Sequence, residues 1–132
     1  MASIFTRILN NEIPSVRIYE DDICFAILDI APVNKGHILL ITREEYQTML
    51  DCPETVLTHL IVRAKKLAAR MTERMQCDGF NLMINNGAAS GQEVPHLHIH
   101  IIPRFAGDNK TPILHKDSYS PEEMSSFGKL LS

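Results

Sequence analysis

Two periodicities of apolar residues organise this chain. In His96-Leu97-His98-Ile99-His100-Ile101 polar and apolar positions alternate strictly, and a strand of period two puts three imidazoles on one face and Leu97, Ile99 and Ile101 on the other. Residues 16–20 and 23–30 are β-rich runs parted by Asp21-Asp22, which predicts an antiparallel hairpin with an acidic turn. The turn cluster Pro32-Val33-Asn34-Lys35-Gly36 precedes an apolar strand at 37–42 that opens with a histidine. Residues 80–85 read as a further strand, and the small-residue loop 86–92 leads from it into the histidine strand.

The helical period appears elsewhere. Ile4, Phe5, Ile8 and Leu9 predict a short amphipathic helix over residues 3–10, ending at Asn10-Asn11. Residues 43–50 read as another short helix, and Pro53 suits the first turn of a longer one. Along that helix Val56, Leu60, Ala64, Leu67, Ala68, Met71 and Met75 form a stripe that packs against a sheet, while His59 falls off the stripe and reads as a solvated surface residue. Ser120-Pro121-Glu122-Glu123 combines an N-cap, a first-turn proline and a capping-box acid, so 121–131 is a terminal helix. The tail carrying His115 and Tyr119 reads as structural or as a dimer contact.

Together these elements predict an α+β domain: an antiparallel sheet of about five strands, helices packed on one face and the other face free for a ligand. Dimerisation is expected through the long helix and its neighbouring strand. Residues 1–104 would carry the site, and 105–132 would be a tail belonging to the same domain.

Composition removes several classes of function. With 132 residues and 45% hydrophobic content the chain suits one domain with its own core. A net charge of -3 with interleaved signs offers no basic surface for nucleic acid, so any phosphate site must be local. No apolar run approaches the ~20 residues of a membrane span. Three scattered cysteines fit reduced thiols, and hence a cytoplasmic protein, better than a disulfide framework.

Three readings compete for the histidine run. The imidazoles could fill the solvated face of a half-buried strand. They could bind a metal, although Asp and Cys are absent from the stretch and the best upstream partner, His37, would make an all-imidazole site. Or one histidine could be a nucleophile supported by two others, before a loop of small residues that lets backbone N–H groups approach an anion. A neutral imidazole attacks phosphorus at pH 7 and divides a hydrolysis into two easier steps. His98, central in the strand, is the candidate nucleophile; His96 and His100 would fix its tautomer, stabilise phosphoryl charge and protonate the leaving group. Asp29, at a strand end, either caps a turn or accepts both hydrogen bonds of a ribose diol.

The run His96-x-His98-x-His100-Ile101-Ile102, preceded by Gly91-Gln92, resembles the histidine-triad signature of the HIT superfamily of nucleotide hydrolases and transferases, and the resemblance extends over about residues 3–104. It implies a HIT-like fold, nucleotidyl transfer through His98, and His37 as the loop histidine that meets the triad. It also implies a base site from Ile4, Phe5 and Ile13, a ribose-binding Asp29 eight residues before His37, and substrate contacts from Asn85, Gly91 and Gln92. The substrates implied are purine nucleoside 5'-phosphoramidates, with dinucleoside polyphosphates as the enzymatic alternative and a nucleotide-binding scaffold as the alternative of another class. No cofactor is implied. Many relatives carry zinc through a Cys-x-x-Cys pair; here Ser3 and Thr6 stand at those positions, and Glu45 stands where a histidine is frequent. Glu93 replaces the Ser or Thr that other branches offer to the leaving group.

Overall fold

The hydrophobic alternation is realised in a computed structural model that describes residues 1–132. Five strands, β1 (Arg17–Glu20), β2 (Cys24–Leu28), β3 (Ile38–Thr42), β4 (Gly79–Met83) and β5 (His98–Arg104), form one sheet in the order β1-β2-β3-β5-β4. Every neighbouring pair is antiparallel. Three helices accompany it: α1 (Ile4–Leu9), α2 (Glu54–Met75) and α3 (Pro121–Leu131).

The two sheet faces bury two separate apolar clusters. On one, Ala26, Ile38, Leu40, Ile99 and Ile101 pack under the α2 stripe of Leu60, Ala64, Leu67, Ala68 and Met71. Full burial of side chains such as Leu60, Leu40 and Ile99 contributes about 1.5–3 kcal/mol each. On the other, Phe25, Ile27, Leu39 and Ile41 are covered by Phe5 and Ile8. Thus α1 lies on the opposite face from α2, whereas the sequence pattern suggested all helices on one side. Its two-residue apolar face is only wide enough to cover β2 and β3, so the rest of that face stays open.

Residues 43–50 form no helix. The N–H groups that a helix would use are taken by side chains: Gln47 and Thr48 donate to the Asp51 carboxylate at 3.1 and 2.9 Å, and Met49 donates to Asn86 Oδ1 at 2.8 Å. The segment runs as a loop whose Tyr46 carbonyl accepts the Leu97 N–H at 2.6 Å, tying it to the start of the histidine strand. His59 is also more engaged than its place off the stripe suggested. It donates to Asp21 Oδ2 at 2.7 Å, the same oxygen that accepts the Tyr19 hydroxyl at 2.6 Å, while Asp21 Oδ1 takes the Ile23 and Cys24 N–H groups. One carboxylate therefore closes the β1–β2 turn and pins it to α2.

The three cysteines are free and buried. Helix α3 has the anticipated capping box, but none of its residues is buried, and its apolar Met124, Phe127, Leu130 and Leu131 are exposed. No helix is long and apolar enough to cross a membrane.

Candidate active site

The open part of the α1 face is a cavity of about 500 Å3 floored by β3 and β5. Register puts His98 opposite Ile41 and His100 opposite Leu39, so both imidazoles project to this face. Hydrogen-bond logic then fixes each ring's tautomer. His98 Nδ1 lies 2.7 Å from the His96 carbonyl oxygen, which can only accept, so Nδ1 carries the proton and Nε2 keeps its lone pair. The Val33 N–H donates to His37 Nδ1 at 3.1 Å, so neutral His37 is protonated at Nε2 and donates across 3.0 Å to His100 Nδ1. His100 is thereby left with an Nε2–H to give to a ligand. One ring presents a lone pair and its neighbour a donor.

Burial keeps these rings neutral. Desolvation pushes His98, His96 and His37 below the ordinary imidazole value, and burial with the two adjacent imidazoles brings His100 down to about 4.

His96 is not part of the cavity lining. It precedes β5 and is fully buried, its Nε2–H donating to the Thr42 carbonyl at 2.6 Å and its Nδ1 accepting from the Ser3 hydroxyl at 2.6 Å. The direct catalytic role expected for it is therefore corrected: its ring keeps to the α1 face, 5.6 Å from the Phe5 ring, but α1 covers it and closes it off from the cavity. His96 acts on His98 through its carbonyl, as a positioning residue. Ser3, the N-cap of α1, also donates its N–H to Glu45 Oε1 at 2.6 Å, and Thr6 donates its hydroxyl to the same oxygen at 2.6 Å. The Ser3–Thr6–Glu45–His96 group clamps α1 to the histidine strand, and Phe5 on that helix stands edge-on to His98 with ring centroids 4.9 Å apart. Sequence pointed to three members of this clamp, Ser3, Thr6 and Glu45, only as positions where the resemblance places zinc ligands.

Ser3, Thr6 and Glu45 stand where the resemblance places zinc ligands, and with His96 they do not fit the metal. Zinc is bound by thiolate, imidazole and carboxylate, whereas this set offers two hydroxyls, one carboxylate already accepting two hydrogen bonds, and an imidazole with both nitrogens engaged.

Asp29, Asn85, Gly91, Ile4, Phe5 and Ile13 all line the cavity with His37, His98 and His100. Asp29 caps its turn through Oδ1, which accepts the Ala31 N–H at 2.9 Å, while Oδ2 stands 3.7 Å from His37 Nε2 at the cavity. Gln92 is not brought into the cavity. Its amide oxygen accepts the Gly87 N–H at 2.8 Å and its NH2 donates to the Gln47 carbonyl at 2.7 Å, so it closes the loop instead. The N–H groups of Ser90, Gly91 and Gln92 are likewise spent on the carbonyls of Gly87 and Ala88. On the side of this loop, the N–H groups of Glu93 and Val94 and the Asn85 side-chain amide are left without partners. Gly91, at φ +103°, makes the left-handed turn that delivers them. Sequence reasoning missed Val33, Val94 and Met83, which are ordinary apolar residues with no chemical signal.

Residues 10–107 match the HIT domain. The chain belongs to the HIT family. It is 35% identical over 129 residues to adenosine 5'-monophosphoramidase HNT1 of Saccharomyces cerevisiae, covering 98% of this chain and 78% of that protein. It is 40% identical over 105 residues to adenylylsulfatase HINT3 of Arabidopsis thaliana, covering 80% of this chain but 53% of that longer protein. The crystal structure of a HIT family member from Bacillus subtilis superposes with a TM-score of 0.89 at 30% identity, over 99% of this chain and 95% of the other.

The depressed imidazole values set a pH dependence. The folded chain resists protonation that the unfolded chain accepts near its ordinary value of about 6.5, so this share of stability is full above that pH. It is lost as pH falls toward the His100 value of about 4. Denaturant midpoints should hold from pH 8 to about 6.5 and decline below it; a midpoint that rises on acidification over that window would show the histidines are not held neutral.

Proposed function

We propose that this HIT protein hydrolyses nucleotidyl conjugates, foremost purine nucleoside 5'-phosphoramidates, through a nucleotidyl-His98 intermediate. The observation that carries it is the His98 Nδ1–H bond to the His96 carbonyl, which leaves Nε2 as a lone pair in a cavity of nucleotide size. The base slides between Phe5, Ile4 and Ile13, Asp29 takes the ribose hydroxyls, and the α-phosphoryl group meets the free N–H groups of Glu93 and Val94 and the His100 Nε2–H. His98 Nε2 bonds to phosphorus while the phosphorus–nitrogen pair departs with the amine, which takes up a proton from solvent. Water then attacks the phosphoryl group, restores neutral His98 and returns a proton, so the sum is conjugate plus water to nucleoside monophosphate plus amine. The names of the yeast and plant relatives, a phosphoramidase and an adenylylsulfatase, support adenylyl transfer as the common step.

His98→Ala should bind AMP and lose turnover by several orders of magnitude, because residues of a nucleophilic unit fail together. Quenching a reaction with radiolabelled substrate should trap adenylate on His98; label on another residue would overturn the assignment.

Asp29→Asn retains an oxygen for the Ala31 N–H but loses the charge offered to ribose. It should weaken AMP by about 1–3 kcal/mol, and 2',3'-dideoxy-AMP should bind the wild-type protein less well by a similar margin. Calorimetric titrations showing equal ribose discrimination by both proteins would remove Asp29 from the ribose site.

The homodimer is part of the same proposal. Phe80 and Leu82 point from edge strand β4 toward the α2 side yet remain 45% and 40% exposed, although α2 packs against part of that strand. Light scattering should give twice the 14.9 kDa chain mass, and Leu82→Glu should shift it to one.

A further inference from the structure

The walls of the cavity contain no lysine or arginine; their only permanent charges are the carboxylates of Asp29 and Glu93. Arg7 of α1 and Lys35 of the turn before β3 stay outside the lining, and two further cations on flanking segments are committed elsewhere. Arg17 donates to the Ile8 and Leu9 carbonyls and pairs with Glu20, and Lys110 donates to the Val33 carbonyl at 2.6 Å. The imidazoles add no positive charge, since burial holds them neutral. Neutral donors can hold one phosphoryl group, but nothing here compensates a second or third.

Glu93 differs from Asp29 in what its side chain does. Asp29 is tied to the Ala31 N–H, whereas Glu93 is exposed at the rim beside Gly91, and its carboxylate has no hydrogen bond or ion pair within the chain. Its own N–H is one of the free donors of the cavity that His98 also lines, so its carboxylate borders the space assigned above to the phosphoryl group. The base and ribose occupy the α1 and Asp29 end, which leaves the rim for the departing group.

We propose that Glu93 selects leaving groups by charge, so that the preferred substrates are nucleotidyl conjugates of amines bearing a further cationic group, and polyphosphate leaving groups are disfavoured. This rests on the nucleotidyl-transfer reading above. The second charge takes no part in bond making: His98 Nε2 bonds to phosphorus, the phosphorus–nitrogen pair leaves with the amine, and the distal ammonium is attracted to Glu93 throughout.

Three adenosine 5'-phosphoramidates separate charge from size: those of 1,3-diaminopropane, of its mono-N-acetyl derivative, and of β-alanine. Wild-type kcat/KM should favour the ammonium over the acetamide by about fivefold, the upper end of what an exposed ion pair contributes, and the carboxylate should rank last. In Glu93→Gln the spread should collapse toward the ratios set by the amines' own reactivity. In the wild type it should shrink as ionic strength rises from ~0.02 to ~0.5 M, because exposed pairs are screened over that range. A dinucleoside triphosphate, tested with and without magnesium, should be the poorest substrate and should gain relative to the acetamide in Glu93→Gln. Equal ratios in both proteins, or a triphosphate cleaved faster than the ammonium conjugate, would overturn charge selection while leaving nucleotidyl transfer intact. Failure to cleave any of the four would overturn the hydrolase reading, and this inference with it.

Discussion

The hydrogen bond from His98 Nδ1 to the His96 carbonyl is the constraint on which the site depends. An imidazole offers two nitrogens, and only a fixed acceptor at one guarantees a lone pair at the other. That acceptor is held because the His96 ring is clamped between the Thr42 carbonyl and the Ser3 hydroxyl. Thr42 is the last residue of β3 and Ser3 is the cap of α1, so a strand, a helix and the approach to β5 meet at one buried ring. Phe5, carried by the same helix, touches His98 edge-on and lines the base end of the cavity. The apolar wall of the cavity and the orientation of the His98 ring thus share a support.

A second chain of bonds runs in the opposite sense. The Val33 N–H, at the turn before β3, orients His37, and His37 orients His100 as a donor. This turn requires Gly36, where φ is +97° and a Cβ would meet the Met75 thioether of α2. The two chains give adjacent imidazoles opposite roles without any difference in residue type. Burial completes the arrangement, since protonation of either ring would remove the lone pair or add repulsion within the group.

The sheet and the long helix were legible because packing imposes their periods directly: Leu97, Ile99 and Ile101 alternate, and Leu60, Ala64, Leu67 and Met71 follow a helical stripe. His37, His98, His100, Asp29 and Asn85 were placed by a motif and by spacing, and the fold brings all five to one cavity. What escaped was set by side-chain bonds between distant segments. Residues 43–50 have helical composition, but Asp51 and Asn86 capture their N–H groups. His96 continues the alternation and keeps its face, yet its partners Ser3 and Thr42 lie 93 and 54 residues away, and α1 covers it. The small-residue loop looked like an anion cradle, but Gln92 and the loop's own carbonyls consume most of its donors. Period alone cannot reveal where a hydrogen bond closes.

The clamp beneath His96 also determines what the site is insensitive to. A zinc ion held by thiolates would perform the same mechanical task through bonds that need deprotonated ligands and that oxidation can break. Here hydroxyls, a carboxylate and a neutral imidazole do it through hydrogen bonds, and Cys24, Cys52 and Cys77 are all buried in the α2-side cluster, on the other face of the sheet. No oxidisable group therefore touches the His98 support. The cost falls on geometry, because short hydrogen bonds tolerate less displacement than a metal with flexible ligands, and Glu45, though exposed, must accept from both Ser3 and Thr6 to keep the α1 cap in place. A surface carboxylate remote from the cavity is thereby coupled to the His98 ring through one serine and one buried imidazole.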